Sequence, residues 1–194
     1  MKGDSVLLTF TGPSAVGKST LMKRLRREDP IISLLTSTTT RKQSQRDLED
    51  EYDYIPEHIF PLLERQNFFL WTTRIHGNCY GTRADSVAAA LSPKRFVLAA
   101  LAPNTVEPLH SFAARLGQPD HVQSIYISSP GQDVLRARLE ERNPTPGYAD
   151  RRLQDCADWD REALKCTYYT LRIPGYADLD RKVTLAKDKL FRTY

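Results

Sequence analysis

The 194-residue chain is poor in cysteine, and its three thiols, Cys79, Cys156 and Cys166, form no close-spaced pair. An odd, scattered set excludes a disulfide framework and any cysteine-based metal or redox motif, so reduced thiols are expected. Histidine is equally sparse. His58, His76, His110 and His121 share no ligand spacing, and no zinc site is assigned. No apolar run approaches the roughly 18 residues that a membrane-spanning helix needs, and the first residues lead into a polar-flanked strand instead of a secretory leader. A cytoplasmic protein without a membrane partner is therefore expected. Internal repeats, low-complexity tracts and a dense basic tail are also missing.

Charge is present without a block of one sign. The formal net charge is +4, and the cations recur in short groups: Lys23 to Arg27, Arg41 with Lys42 and Arg46, Arg136 to Arg142, and Arg151 with Arg152. Such a balance suits an enzyme whose ligands carry several phosphates. No aromatic-interleaved basic sheet or helix-turn-helix pattern supports a nucleic-acid partner.

With 40% hydrophobic residues the chain can bury one sizeable core, so a single domain over 1–194 is expected. Apolar runs and helical periods alternate along it. SVLLTFTG reads as a strand and STLMKRLRRE as a helix; IISLLTSTTT reads as one strand, followed by an aperiodic polar stretch from Arg41 to Asp53. A short helix is expected from Pro56 or Glu57, a strand at FFLWTTRI, a turn at HGNCYGT, and a helix at ADSVAAALS capped by Asp85. RFVLAALA, SIYIS and YYTLRI read as strands. Helices are expected at Thr105 to Leu116, GQDVLRARLEER, Ala149 to Lys165 and Asp178 to Phe191. This alternation predicts an α/β fold, a parallel sheet flanked by helices.

The most specific signal is GPSAVGKST, made of Gly12, Pro13, Ser14, Ala15, Val16, Gly17, Lys18, Ser19 and Thr20. It matches G-x-x-x-x-G-K-[ST] in full, between a strand and a helix, as a P-loop requires. The glycines let the backbone turn so that successive N–H groups face an anion, and the helix adds its positive end. Lys18 is suited to the terminal phosphates of ATP, and the Ser19 hydroxyl to Mg2+.

Beyond that loop, STTTR at Ser37 to Arg41, EYDYI around Tyr54, HGNCYGT at His76 to Thr82, RLEER at Arg138 to Arg142 and ADRRL with Arg152 resemble the guanylate kinase family in order and approximate spacing. The resemblance runs from about residue 5 to 190. It implies a P-loop NTPase fold with core segments 1–34, 87–140 and 156–194, an acceptor-binding insert at about 35–86 and a lid at about 141–155. It also implies an ATP-dependent kinase, with ATP and a phosphorylated small molecule as ligands and a monomer or homodimer as the working form. Ser37, Arg41, Arg46, Tyr54, Tyr80 and Thr82 fall where the family binds the acceptor. Arg138 falls beside the ATP site, and Arg142 and Arg152 join Lys18 and Arg41 as catalytic cations.

Several positions depart from the family pattern. The acids with which guanylate kinases read guanine are replaced by Leu70 before the tryptophan and by Ala99 and Leu101 in the strand after the insert. Ser44 stands where a second acceptor arginine is usual, with Arg46 two residues later, and Cys79 replaces an aromatic residue. The acceptor is left open between a nucleoside monophosphate such as GMP and ribose 1,5-bisphosphate. A non-catalytic guanylate kinase-like interaction module is the remaining alternative.

Overall fold

Every residue of the first strand, Val6–Thr11, is buried, which suits a central strand of a parallel sheet covered on both faces. The computed structural model describes residues 6–93, 95–154 and 156–191. In chain order the elements are β1 (Val6–Thr11), α1 (Lys18–Glu28), β2 (Ser33–Leu34), β3 (Ser37–Thr39), β4 (Tyr52–Tyr54), α2 (Phe60–Arg65), β5 (Trp71–Ile75) and β6 (Asn78–Thr82). They continue with α3 (Ala84–Ala90), β7 (Phe96–Ala100), α4 (Pro103–Arg115), β8 (Val122–Ile127) and α5 (Gln132–Arg142). The last are α6 (Tyr148–Leu153), α7 (Cys156–Lys165), β9 (Tyr169–Ile173) and α8 (Leu179–Leu190).

The core sheet has the order β2-β7-β1-β8-β9 and is parallel throughout. Along β1, side chains alternate between two apolar clusters. Leu8 and Phe10 pack with Leu21 and Leu25 of α1, Leu135 and Leu139 of α5, and Val183 and Leu190 of α8. Leu7 packs with Val87 of α3, Leu109 of α4 and Trp71. Because β1 lies between β7 and β8, the chain leaves its carboxyl end at the point where the strand order reverses, which is where open α/β sheets place ligands.

A second sheet, β4-β3-β6-β5, is built from residues 37–82. Here β3 pairs with β4 in parallel and with β6 antiparallel, and β5 and β6 form a hairpin. This sheet changes three of the sequence expectations. IISLLTSTTT divides into two strands that serve different sheets, because Leu35 N bonds the Leu98 carbonyl of the core while Ser37 N bonds the Glu51 carbonyl. HGNCYGT is a turn only at His76 and Gly77, both with positive φ; its remainder is β6, whose Cys79 carbonyl accepts from Thr40 N. Asp85 caps nothing at the α3 start. Arg83 holds that position, and the Asp85 carboxylate pairs with Arg83 and accepts from its neighbour Ser86 N.

The helix expected from Ala149 to Lys165 is two helices, α6 and α7, and only the second reaches the Tyr126 and Tyr169 cluster; its first residue, Cys156, still packs with the first helix. Ala149 and Leu153 join the α1, α5 and α8 cluster, whereas Ala163 packs on Tyr126 and Tyr169. Asp160 fixes α7 to the end of β8: its carboxylate accepts from the Tyr126 hydroxyl at 2.8 Å and from Ser129 N at 3.2 Å. Asp160→Ala leaves the buried Tyr126 hydroxyl without this partner. It is expected to lower stability by about 1–3 kcal/mol, read by urea denaturation; an unchanged midpoint would show that α7 is held by other contacts.

Candidate active site

The loop after β1 turns through three residues with positive φ, Gly12 at 148°, Ala15 at 64° and Gly17 at 103°. Gly12 is required twice over, since a Cβ there would overlap the Ile127 carbonyl oxygen. Gly17 caps α1, whose first turn carries no acid, so the positive helix end is not neutralised by its own side chains. Val16 is fully buried and anchors the loop in the core. The Lys18 ammonium lies across the loop, donating to the Gly12 carbonyl at 2.5 Å and the Pro13 carbonyl at 2.9 Å.

This loop forms one wall of a cleft of about 510 Å³. Gly12, Ser14, Ala15, Gly17, Lys18, Ser19 and Thr20 line it from the loop side, with Arg138, Arg142 and Arg152 from α5 and α6. Arg138 donates to the Ala15 carbonyl and Arg152 to the Ser14 hydroxyl, each at 3.2 Å. The two helices are joined by the Arg136–Asp150 ion pair at 2.7 Å. Burial, reinforced by the Arg142 and Arg152 guanidinium groups and opposed by Glu51, pushes the Lys18 ammonium down to about 8.

Across the cleft the second sheet presents Ser37, Arg41, Arg46, Tyr80 and Thr82. The Ser37 and Thr82 hydroxyls hydrogen bond at 2.8 Å. The Arg41 guanidinium is fixed between Asp47, at 2.8 Å, and the ring of Tyr52, 5.1 Å from its centroid. Burial alone would raise the Asp47 carboxyl, but bonds from Arg41, the Tyr54 hydroxyl and Ser44 N bring it below its ordinary value. Burial raises Tyr52 and Tyr80, so both phenols remain protonated and able to donate.

The structure thus brings to one cleft the three arginines, most of the second-sheet residues singled out in the sequence, and all of the loop except Pro13 and Val16, whose side chains do not line it; Val16 is packed in the core instead. Tyr54 is placed otherwise: it does not line the cleft, and its hydroxyl donates to Asp47 at 2.7 Å, behind Arg41. Tyr52, two residues earlier, faces the cleft. Sequence reasoning also passed over Asp47, Glu51, Trp71 and Trp159, all of which line the cleft. An acid set between Arg41 and Arg46 on one side and a tyrosine pair on the other was the available signal for Asp47.

The guanylate kinase family model matches residues 5–173, most of the chain. The chain belongs to the guanylate kinase family. Among curated guanylate kinases, that of Symbiobacterium thermophilum is 31% identical over 86% of this chain and 77% of its own length. The enzyme of Campylobacter jejuni subsp. jejuni is 29% identical over 87% and 80%. The crystal structure of guanylate kinase from Anaplasma phagocytophilum superimposes with a TM-score of 0.62 at 22% identity, covering 99% of this chain and 89% of that one, and shares the fold. A gluconokinase from Sinorhizobium meliloti, with a TM-score of 0.54, 13% identity and coverage of 98% and 93%, is a further likeness of fold.

In this guanylate kinase family member, Lys18 is partly deprotonated near pH 8 when its site holds no anion. An anion raises its pKa, so binding of sulfate, which carries no proton near this pH, should take up part of a proton per site at pH 8 and weaken as pH rises further. Calorimetry in buffers of different ionisation enthalpy measures this; no uptake would mean that the ammonium is already fully protonated.

Proposed function

We propose that the protein is an ATP-dependent phosphotransferase that moves the γ-phosphate of ATP to the phosphate group of a nucleoside monophosphate. The observation that carries this reading is one cleft with a P-loop on one wall and the Arg41, Tyr52 and Tyr80 cluster on the other. Two phosphate-binding walls facing one space suit the transfer of a phosphoryl group between two phosphates.

In this reading Gly12 to Thr20 hold the triphosphate by backbone N–H groups, and Lys18 leaves its two loop carbonyls for the phosphate oxygens. Arg41 grips the acceptor phosphate, with its free N–H groups directed by Asp47 and Tyr52. A phosphate oxygen is already a nucleophile, so no general base is needed. Catalysis consists of aligning the two ligands and of stabilising spread negative charge with Lys18, Arg142 and Arg152 in a water-poor space.

The donor set suits Mg2+. Ser19 offers a hydroxyl in the cleft, and magnesium commonly keeps several waters beside phosphate oxygens. When bound it would neutralise phosphate charge. Among the described residues no cluster of three or more His, Cys, Asp or Glu is grouped to enclose a metal on protein ligands alone.

GMP is the acceptor that the family suggests, yet the three positions where the family pattern has acids hold Leu70, Ala99 and Leu101; Leu101 lines the cleft, and Ala99 and Leu70 pack in the apolar cluster of β7. The missing acids keep a second reading, a sugar phosphate such as ribose 1,5-bisphosphate, beside the first. An interaction module without catalysis is disfavoured by the complete loop with Lys18 and Ser19.

ADP release with ATP, Mg2+ and GMP, dGMP, AMP, UMP or ribose 1,5-bisphosphate tests the proposal, and turnover of none would refute it. Lys18→Ala and Arg152→Ala should each lower kcat by about 100-fold or more with an unchanged circular dichroism spectrum. Asp47→Ala should raise the acceptor KM by about tenfold and leave ATP affinity unaltered, since it frees a positioned guanidinium without touching the loop. A lowered ATP affinity in Asp47→Ala would contradict the division into two walls.

A further inference from the structure

Helix α8 carries a lysine on its buried face. Lys182 is only 6% exposed and shares that face, at helical spacing, with the core residues Ala186 and Leu190. Lysine is almost never buried without a partner, and here the partner is a neutral one: the ammonium donates to the Gly175 carbonyl at 2.9 Å. Among the described residues it forms no ion pair. Asp178 acts on it only through its field, and the Asp178 carboxylate accepts from Arg181 N instead. Burial, reinforced by the Arg138 charge and opposed by Asp178, holds the ammonium below its ordinary value.

Gly175 stands in the turn between β9 and α8, which Ala177 N closes by donating to the Pro174 carbonyl at 3.0 Å. It is buried against the segment that follows β8, where a Cβ on it would overlap the Ser128 carbonyl oxygen and the Pro130 nitrogen. The same segment begins at Ile127, whose carbonyl leaves no room for a Cβ on Gly12. Residues 127–130 are therefore wedged between two glycines, one in the nucleotide loop and one under Lys182. Asp160 holds the segment at a third point, through Ser129 N. Helix α5 starts immediately afterwards and brings Arg138 and Arg142 to the cleft, with Arg138 closing on the Ala15 carbonyl. None of Gly175, Lys182 and residues 128–130 lines the cleft.

We propose that Lys182 is a positioning residue for the phosphoryl donor: by fixing Gly175 it seats residues 127–130 behind the nucleotide loop and at the root of α5, and so sets the affinity for ATP without touching it. The inference rests on the kinase reading above. An alkyl side chain at 182 would fill the core, but it would leave the Gly175 carbonyl unfastened and remove a charge that acts on Arg138. The effect belongs to the donor side, because α8 packs on α1, β1 and β8, whereas the acceptor wall is built from the second sheet.

The test compares the wild-type protein with Lys182→Met, Lys182→Arg, Gly175→Ala and Val183→Ala. Calorimetry with Mg2+ and ATP reads donor affinity, steady-state kinetics with the acceptor turned over fastest reads the two KM values, and circular dichroism shows which variants are folded. Lys182→Met, which keeps the stem and removes the ammonium, should weaken ATP binding and raise the ATP KM by about tenfold, with the acceptor KM unchanged. Lys182→Arg should restore most of the loss. Gly175→Ala pushes on residues 128–130 from the same turn and should weaken ATP in the same way, so the clamp is tested even where Lys182→Met does not fold. Val183→Ala, the neighbouring core position, loosens α8 without touching Gly175 and should leave ATP affinity unaltered. Unchanged ATP affinity in folded Lys182→Met, an equal rise in both KM values, or an equal loss in Val183→Ala would overturn the inference while leaving the kinase reading standing. A wild-type protein that binds no ATP would overturn both.

Discussion

The Lys18 ammonium sits half-buried in the wall of the cleft, under the influence of the Arg142 and Arg152 charges, and is held to the backbone by the Gly12 and Pro13 carbonyls. Crowding cations in a partly dry space is unfavourable without anions, and it makes the cleft a place where phosphate is strongly preferred. Much of the architecture maintains that crowding. Gly12 can approach Ile127 only without a side chain, Val16 ties the loop to the core, and Arg138 and Arg152 bond the loop from the opposite side.

The second sheet is organised by the complementary device. Arg41 is neutralised by Asp47 and supported by a tyrosine ring, and Asp47 is in turn satisfied by Tyr54 and Ser44. A half-buried ion pair with its remaining lone pairs occupied is rigid, which suits a guanidinium that must meet a small ligand in one orientation. One wall thus gathers Lys18, Arg138, Arg142 and Arg152, with Glu51 acting on Lys18, and the other presents Arg41, braced by Asp47, together with Arg46.

The loop was readable in the sequence because its geometry is local: positive φ at Gly12 and Gly17, and a helix starting at Lys18, demand particular residues at fixed spacing. The core strands were readable because burial on both faces leaves runs such as VLLTFT and FVLAA. Of the second sheet, β5 was readable within FFLWTTRI, whereas β3 ran together with β2 and β4 went unread, since β3 and β4 have three residues each and gain their stability from partners far along the chain. Tyr52 and Tyr54 illustrate the limit. Both lie on one short strand, two residues apart, and only the position of Asp47 decides that Tyr54 braces Arg41 while Tyr52 faces the cleft. Trp159 carries no local signal either, because its place depends on the break before α7 and on the Asp160 anchor.

The central claim is that two phosphate-binding walls face one space and engage two ligands end to end. Calorimetric affinity of a dinucleoside pentaphosphate, two nucleosides joined through five phosphates, measured beside ATP and a nucleoside monophosphate, tests it most directly. The linked ligand should bind at least about 100-fold more tightly than ATP, because occupying the second wall then costs no second association. Binding no tighter than ATP alone would contradict the account.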